Sequence, residues 1–120
     1  MKKVTVLYSP YCSKCKEALE LMDGESCELE LVDYLKTGLK KAEIEDILAK
    51  LGVKARDIVR EKEALFQKKF ADKNFTNEEW IQILVENPVL IERPIVIDGY
   101  SAVVGRPPRI ITDFLHRNDK

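Results

Sequence analysis

The sequence predicts an α/β fold in the order β-α-β, helical insert, β-β-α, with a mixed four-stranded sheet. An apolar, β-rich run, VTVLY at residues 4–8, precedes helical periodicity that starts at Ser13. The segment CELELVDY alternates as a second strand does, so the first three elements form a β-α-β unit with a right-handed crossover. Two further apolar runs in IVIDGYSAVVG meet at Asp98-Gly99, which is a hairpin signal.

Helices account for the rest of the pattern. A helical insert is predicted at about residues 41–88. There LKKAEIEDILAKLG has apolar residues at helical spacing and ends at Gly52, a natural helix terminator. In FTNEEWIQILVENP, Thr76 and Glu79 form a capping box and Pro88 marks the end. Shorter helical pieces lie between these two helices, and RPPRIITDFL predicts a short last helix.

Size and composition indicate one compact domain over residues 1–120. Apolar residues make up 45% and charged residues 34% of the 120, and the net charge is -1. Because no global positive field exists, we expect neither nucleic acid nor membrane as a partner. The apolar run near the start is too short for a signal peptide or a membrane span. We therefore expect a cytoplasmic protein.

The pair Cys12 and Cys15 has C-x-x-C spacing and opens the first helix, directly after the first strand. Unpaired backbone N–H groups and the positive end of the helix dipole stabilise a thiolate at that position. Cys12 is therefore the predicted nucleophile. A C-x-x-C pair at this junction, in this order of elements, is the thioredoxin-like arrangement.

Cys15 has two interpretations. It could resolve a mixed disulfide on Cys12, because residues one helical turn apart can be bridged. It also shares a helical stripe with Leu19 and Met22, where a small thiol is a common core residue. Cys27 is expected to be a core residue. Three cysteines and the single His116 do not make a typical metal site, so no metal is expected.

Arginines supply the second chemical signal. Arg93 and Arg106 each precede a proline, and Arg60 lies in DIVREK. Guanidinium groups bind tetrahedral oxyanions through paired N–H donors, so three of them near one thiolate would form a site for an anionic oxyacid. The alternative is that they are ordinary surface arginines.

Four stretches together resemble the ArsC family, the glutathione- and glutaredoxin-coupled arsenate reductases with their Spx-like relatives. They are PYCSK at residues 10–14, REKE after Val59, NPVLIERPIV, and GRPP at residues 105–108. The resemblance spans nearly the whole chain. It implies a thioredoxin-like core and a cis peptide bond between Arg93 and Pro94.

The resemblance also implies an activity. Cys12 would attack arsenate as a thiolate, while Arg60, Arg93 and Arg106 would hold the oxyanion. A second thiol would then release arsenite and leave a disulfide on Cys12. The implied electron donor is glutathione with glutaredoxin, or thioredoxin, and no cofactor is bound.

Two positions depart from the reductase pattern. Tyr8 stands where well-studied reductases have a histidine, so another group must lower the pKa of the thiol. Cys15 is an extra thiol that could replace external glutathione. It is also a feature of Spx-like redox-sensing regulators that bind RNA polymerase, the alternative function, although Arg106 in GRPP matches the reductases. A general thiol–disulfide oxidoreductase would leave the three arginines unused.

Overall fold

The structure is a computed structural model that describes residues 2–117. Its elements are β1 (Lys2–Tyr8), α1 (Ser13–Met22), β2 (Cys27–Asp33), α2 (Tyr34–Thr37), α3 (Lys41–Leu51), α4 (Ala64–Lys69), α5 (Asn77–Glu86), β3 (Ile95–Asp98), β4 (Ser101–Val104) and α6 (Arg109–Leu115). Two 3₁₀ turns cover Ala55–Ile58 and Pro88–Leu90. No helix within residues 2–117 combines the length and the apolar character needed to cross a bilayer.

The chain divides into two compact units. Among the described residues, one unit combines 2–34 with 93–117, and the other is Leu35–Glu92. The predicted insert, at about residues 41–88, falls within the second unit. That the chain folds as a single domain stays a prediction.

The first unit contains the sheet, in the order β2-β1-β3-β4. Strand β1 is parallel to β2 and antiparallel to β3, and β3 is antiparallel to β4. This confirms the predicted mixed four-stranded sheet. Because β1 is a central strand, it needs apolar side chains on both faces, and Val4, Val6 and Leu7 are all buried.

Helices α1 and α6 provide the apolar residues that complete one core cluster of this unit. Val4, Val6 and Val96 of the sheet lie in one cluster with Ala18 and Met22 of α1 and with Ile111 and Leu115 of α6. The predicted stripe on α1 is confirmed, with Leu19 partly buried at its edge. The predicted hairpin is also confirmed, since Gly99 has a positive φ of 66° in the turn between β3 and β4.

The second unit is helical, as predicted. Gly52 adopts a left-handed φ of 71° at the end of α3, so that helix stops where the sequence indicated. The capping box at α5 is confirmed: the Thr76 hydroxyl accepts from the Glu79 N–H at 3.1 Å, and Glu79 Oε1 accepts from the Thr76 N–H at 2.8 Å. The second strand, by contrast, ends one residue earlier than CELELVDY indicated, because Tyr34 begins α2.

Candidate active site

Cys12 occupies the N-cap position of α1, immediately after the loop that follows β1. Its backbone N–H donates to the Ser9 carbonyl at 3.2 Å, and its own carbonyl accepts from the Lys16 N–H at 3.1 Å. The first turn of α1 contains no acidic residue. The partial positive charge of the helix terminus is therefore not neutralised by a carboxylate there.

The thiol of Cys12 is acidic. Burial raises its pKa, but hydrogen bonds from the Cys15 backbone N–H, the Arg93 guanidinium, the Cys15 thiol and the Lys14 backbone N–H together outweigh burial and lower the pKa from 9.0 to about 7. A large fraction of Cys12 is therefore thiolate at neutral pH.

Arg106 approaches Cys12 from the segment that follows β4. Its Nη2 lies 3.7 Å from Cys12 Sγ, and its Nε donates to the carbonyl oxygen of Arg93. The two arginines are thereby linked to each other, and both contact the thiol. Both the Arg93–Pro94 and the Arg106–Pro107 peptide bonds are cis, and the first of these was expected from the family resemblance.

The Arg93 guanidinium is charged, and two of its donor atoms form no hydrogen bond within residues 2–117. Burial lowers the pKa of its guanidinium, but bonds to Tyr34 and Cys12 outweigh burial and raise the pKa, so the group stays charged. Its Nε and Nη1 are buried and have no hydrogen-bond partner among residues 2–117. A buried donor without a partner costs free energy. A ligand that brings oxygen acceptors to these two atoms would remove that cost.

Cys15 lies on the buried stripe of α1 and also beside Cys12. It is 1% exposed, and the Ser9 N–H donates to its Sγ at 3.4 Å. Burial and the neighbouring Cys12 raise the pKa of Cys15 to about 11. The site therefore pairs an accessible, acidic thiol with a buried thiol that keeps its proton.

The remaining candidates from the sequence are Arg60, Cys27 and His116. Arg60 belongs to the second unit, where Nη1 pairs with Glu63 Oε2 at 3.0 Å. Cys27 is partly buried against the core cluster, and burial raises its pKa. His116 is exposed and its Nε2 lies 2.7 Å from Glu25 Oε1. Within residues 2–117, no three His, Cys, Asp or Glu side chains are grouped as metal ligands.

Two residues that contact the site were not predicted from the sequence. Ser9 is buried and bonds to Cys15, and Tyr34 bonds to Arg93. Both follow directly on the carboxyl ends of the parallel strands β1 and β2, whose last residues are paired in register. Sites in α/β sheets gather at such strand ends, and this rule could have identified them.

The sequence matches a known protein family. The ArsC family model matches residues 7–114. Protein YfgD of Escherichia coli K12 is 39% identical over 116 residues, which are 95% of this chain and 98% of YfgD. Arsenate reductase of Neisseria meningitidis serogroup A is 36% identical over 109 residues, 89% of this chain and 93% of that protein.

A solved structure agrees with the sequence matches. Arsenate reductase from Vibrio cholerae superposes with a TM-score of 0.87 at 30% identity, covering 93% of this chain and 97% of that one. The fold is therefore the thioredoxin-like fold of these reductases. A C-x-x-C helix start, a cis-proline beside it and a family match over most of its length together establish that this chain belongs to the ArsC family.

Proposed function

We propose that this protein is a thiol-dependent arsenate reductase that uses Cys12 as its nucleophile. The observation that carries the proposal is the neighbourhood of Cys12. A thiol with a pKa of about 7 adjoins Arg93, whose Nε and Nη1 are buried and lack partners within residues 2–117. A thiolate beside two unsatisfied guanidinium donors suits an electrophilic oxyanion. Family relatives named arsenate reductase point to the same substrate.

The first step is attack of Cys12 Sγ on arsenic. A sulfur–arsenic bond forms, and one arsenate oxygen leaves as water after taking up protons. Arg93 would hold two of the remaining oxygens, and Arg106, 3.7 Å from Sγ, would balance the negative charge. Arg60 is proposed as a third oxyanion ligand on the family resemblance alone.

The second step reduces arsenic. A second thiolate attacks Cys12 Sγ, a disulfide forms, and the electron pair of the sulfur–arsenic bond stays on arsenic, which leaves as arsenite. Glutathione with glutaredoxin, or thioredoxin, then restores Cys12. Because this cycle needs a reducing thiol pool, we place the protein in the cytoplasm.

A coupled assay tests the proposal. NADPH consumption is measured with and without arsenate, using either glutathione plus glutaredoxin or thioredoxin plus its reductase. Wild type and the control Cys27→Ser should consume NADPH only when arsenate is present, and Cys12→Ser should be inactive. Arg93→Lys should raise KM for arsenate, because a lysine lacks the forked donors. No arsenate-dependent consumption by wild type with either donor would overturn the proposal.

The alternative functions are less well supported. The comparisons do not favour an RNA-polymerase-binding regulator or a general thiol–disulfide oxidoreductase over a reductase. A general oxidoreductase also gives no role to the unsatisfied donors of Arg93.

A further inference from the structure

We propose that Cys15 is the resolving thiol of this site, so that the catalytic cycle passes through an internal Cys12–Cys15 disulfide and the partner that reopens it is a small dithiol reductase. This inference rests on the proposed function and deepens it. It assigns the second thiol to the chain itself and identifies the electron donor by its chemistry.

Placement is the first support. Cys12 is the N-cap of α1 and Cys15 is the third residue of that helix, so the two side chains are one turn apart. The N–H of Ser9 donates to Cys15 Sγ at 3.4 Å, which holds that sulfur on the side of the β1 loop. The two thiols are also hydrogen-bonded to each other. A pair in this spacing can close a disulfide.

Accessibility is the second support. Cys15 is 1% exposed, so neither arsenate nor a thiol in solution can reach it directly. Cys12 is the more accessible of the two. A buried thiol can therefore react only with what is already attached to Cys12, and it acts at a far higher effective concentration than a dissolved thiol.

The third support is the effect of the neighbouring charges on the pKa of Cys15. Burial and the neighbouring Cys12 both raise the pKa of Cys15, which keeps it protonated while Cys12 is a free thiolate. Once Cys12 is bonded to arsenic, the charge of its thiolate is replaced by that of the arsenic oxygens, which Arg93 and Arg106 would balance. The Ser9 N–H and the positive charge of Arg93, which both lower the pKa of Cys15, remain. At the stage when a second thiolate is needed, the Ser9 N–H and Arg93 therefore favour ionisation of Cys15, whereas burial opposes it.

The step balances in atoms and electrons. Cys15 loses its proton to solvent and its thiolate attacks Cys12 Sγ. The sulfur–sulfur bond forms while the sulfur–arsenic bond breaks, and its electron pair reduces arsenic from the pentavalent to the trivalent state. Two thiols are oxidised to one disulfide, and the arsenite oxygens take up protons. A dithiol reductase then attacks the more accessible Cys12 sulfur and becomes oxidised itself.

A single-turnover experiment tests the assignment. Fully reduced protein is mixed with excess arsenate and no other thiol, and arsenite release is followed together with intact mass. Wild type should release one arsenite per chain and lose the mass of two hydrogen atoms. Cys15→Ser and Cys15→Ala should release less than about a tenth of that amount, because the adduct has no second thiol. Cys27→Ser is the matched control and should behave as wild type.

A second measurement does not depend on arsenate. Each protein is equilibrated in a glutathione redox buffer, trapped with acid and mapped by mass spectrometry. Wild type should contain a Cys12–Cys15 disulfide, whereas Cys15→Ser should carry glutathione on Cys12. Both Cys15 variants are first compared with wild type by circular dichroism, and the variant that retains the wild-type spectrum is used.

The outcomes separate this proposal from the proposed function. If wild type carries glutathione on Cys12, or if the Cys15 variants release arsenite as wild type does, Cys15 is not the resolving thiol and the reductase proposal still stands. If the internal disulfide forms in redox buffer but no arsenite appears with any donor, the proposed reduction of arsenate is overturned. The Cys12–Cys15 disulfide is then still shown to form.

Discussion

The guanidinium of Arg106 lies 3.7 Å from the sulfur of Cys12, although 94 residues separate the two in the sequence. The same side chain donates from Nε to the carbonyl of Arg93. One arginine therefore contacts the thiol and also fixes the backbone of the residue that has the unsatisfied donors. Changing Arg106 should affect both the reactivity of the thiol and the position of Arg93.

We expect Arg106→Lys to lower kcat/KM for arsenate by about 10- to 100-fold. A lysine keeps the charge but lacks the two separate nitrogens that bond to the Arg93 carbonyl and to Sγ, and a hydrogen bond to a charged group contributes about 1.5–3 kcal/mol. The control is Arg109→Lys, at the exposed start of α6, which should match wild type. Equal activity of both variants in steady-state assays would contradict this role.

The reactivity of Cys12 should follow a pKa of about 7. Because the thiolate is the reactive form, alkylation of Cys12 by iodoacetamide should be slow at pH 5, reach half its maximum near pH 7 and level off above pH 8. The measurement is the alkylation rate at each pH, with the modified cysteine located by mass spectrometry. A midpoint near the ordinary thiol value of 9.0 would show that the backbone and Arg93 do not stabilise the thiolate.

The same shift affects stability. Cys12 has a lower pKa in the folded than in the unfolded chain, so its contribution is fully present above about pH 9 and is lost as the pH falls through 7. Wild type should therefore gain free energy of unfolding relative to Cys12→Ser between pH 7 and pH 9. Urea unfolding of both proteins at several pH values measures the difference. A difference that stays constant over this range would contradict the prediction.

Gly105 is required by close packing. A Cβ at this position would lie 2.7 Å from Ile111 Cδ1 and 3.2 Å from Pro94 Cγ. We expect Gly105→Ala to lower the free energy of unfolding by about 1–3 kcal/mol, the usual cost of overpacking. The control Gly24→Ala, where nothing lies within 4 Å, should change it by less than about 0.5 kcal/mol. Urea unfolding of the two variants should separate them clearly, and equal stabilities would argue against this packing.

Asp98 should contribute more to stability than an exposed carboxylate. Its Oδ2 lies 3.1 Å from both Lys2 Nζ and Arg117 Nη1, and its side chain is 12% exposed. Asp98→Asn should cost about 2 kcal/mol, because two cations lose a shielded partner. In Glu30→Gln the lost pair with Lys3 is exposed, at 3.6 Å, and the cost should stay below about 1 kcal/mol. Urea unfolding at low salt measures the loss in free energy of unfolding for each variant. A loss in Glu30→Gln equal to that in Asp98→Asn would contradict the prediction.

Local signals in the sequence predicted most elements and the position of Cys12 at the start of a helix. The run VTVLY has the composition of a strand, Gly52 ends α3 through its left-handed backbone, and the Thr76 hydroxyl caps the start of α5. The placement of Cys12 at a helix start is of the same kind. Each of these depends on neighbours within about one helical turn, and such short patterns are readable without the fold.

The tertiary structure decided what surrounds the thiol. Arg93 and Arg106 were candidates by residue type, but their contact with Cys12 depends on β3 running antiparallel to β1 and on β4 following it. Ser9 and Tyr34 carried no signal by themselves, because a serine in a turn and a tyrosine after a strand are common. Sequence alone therefore determined which residue could act as the nucleophile. Only the meeting of distant strands decided that Arg93 and Arg106 contact its sulfur.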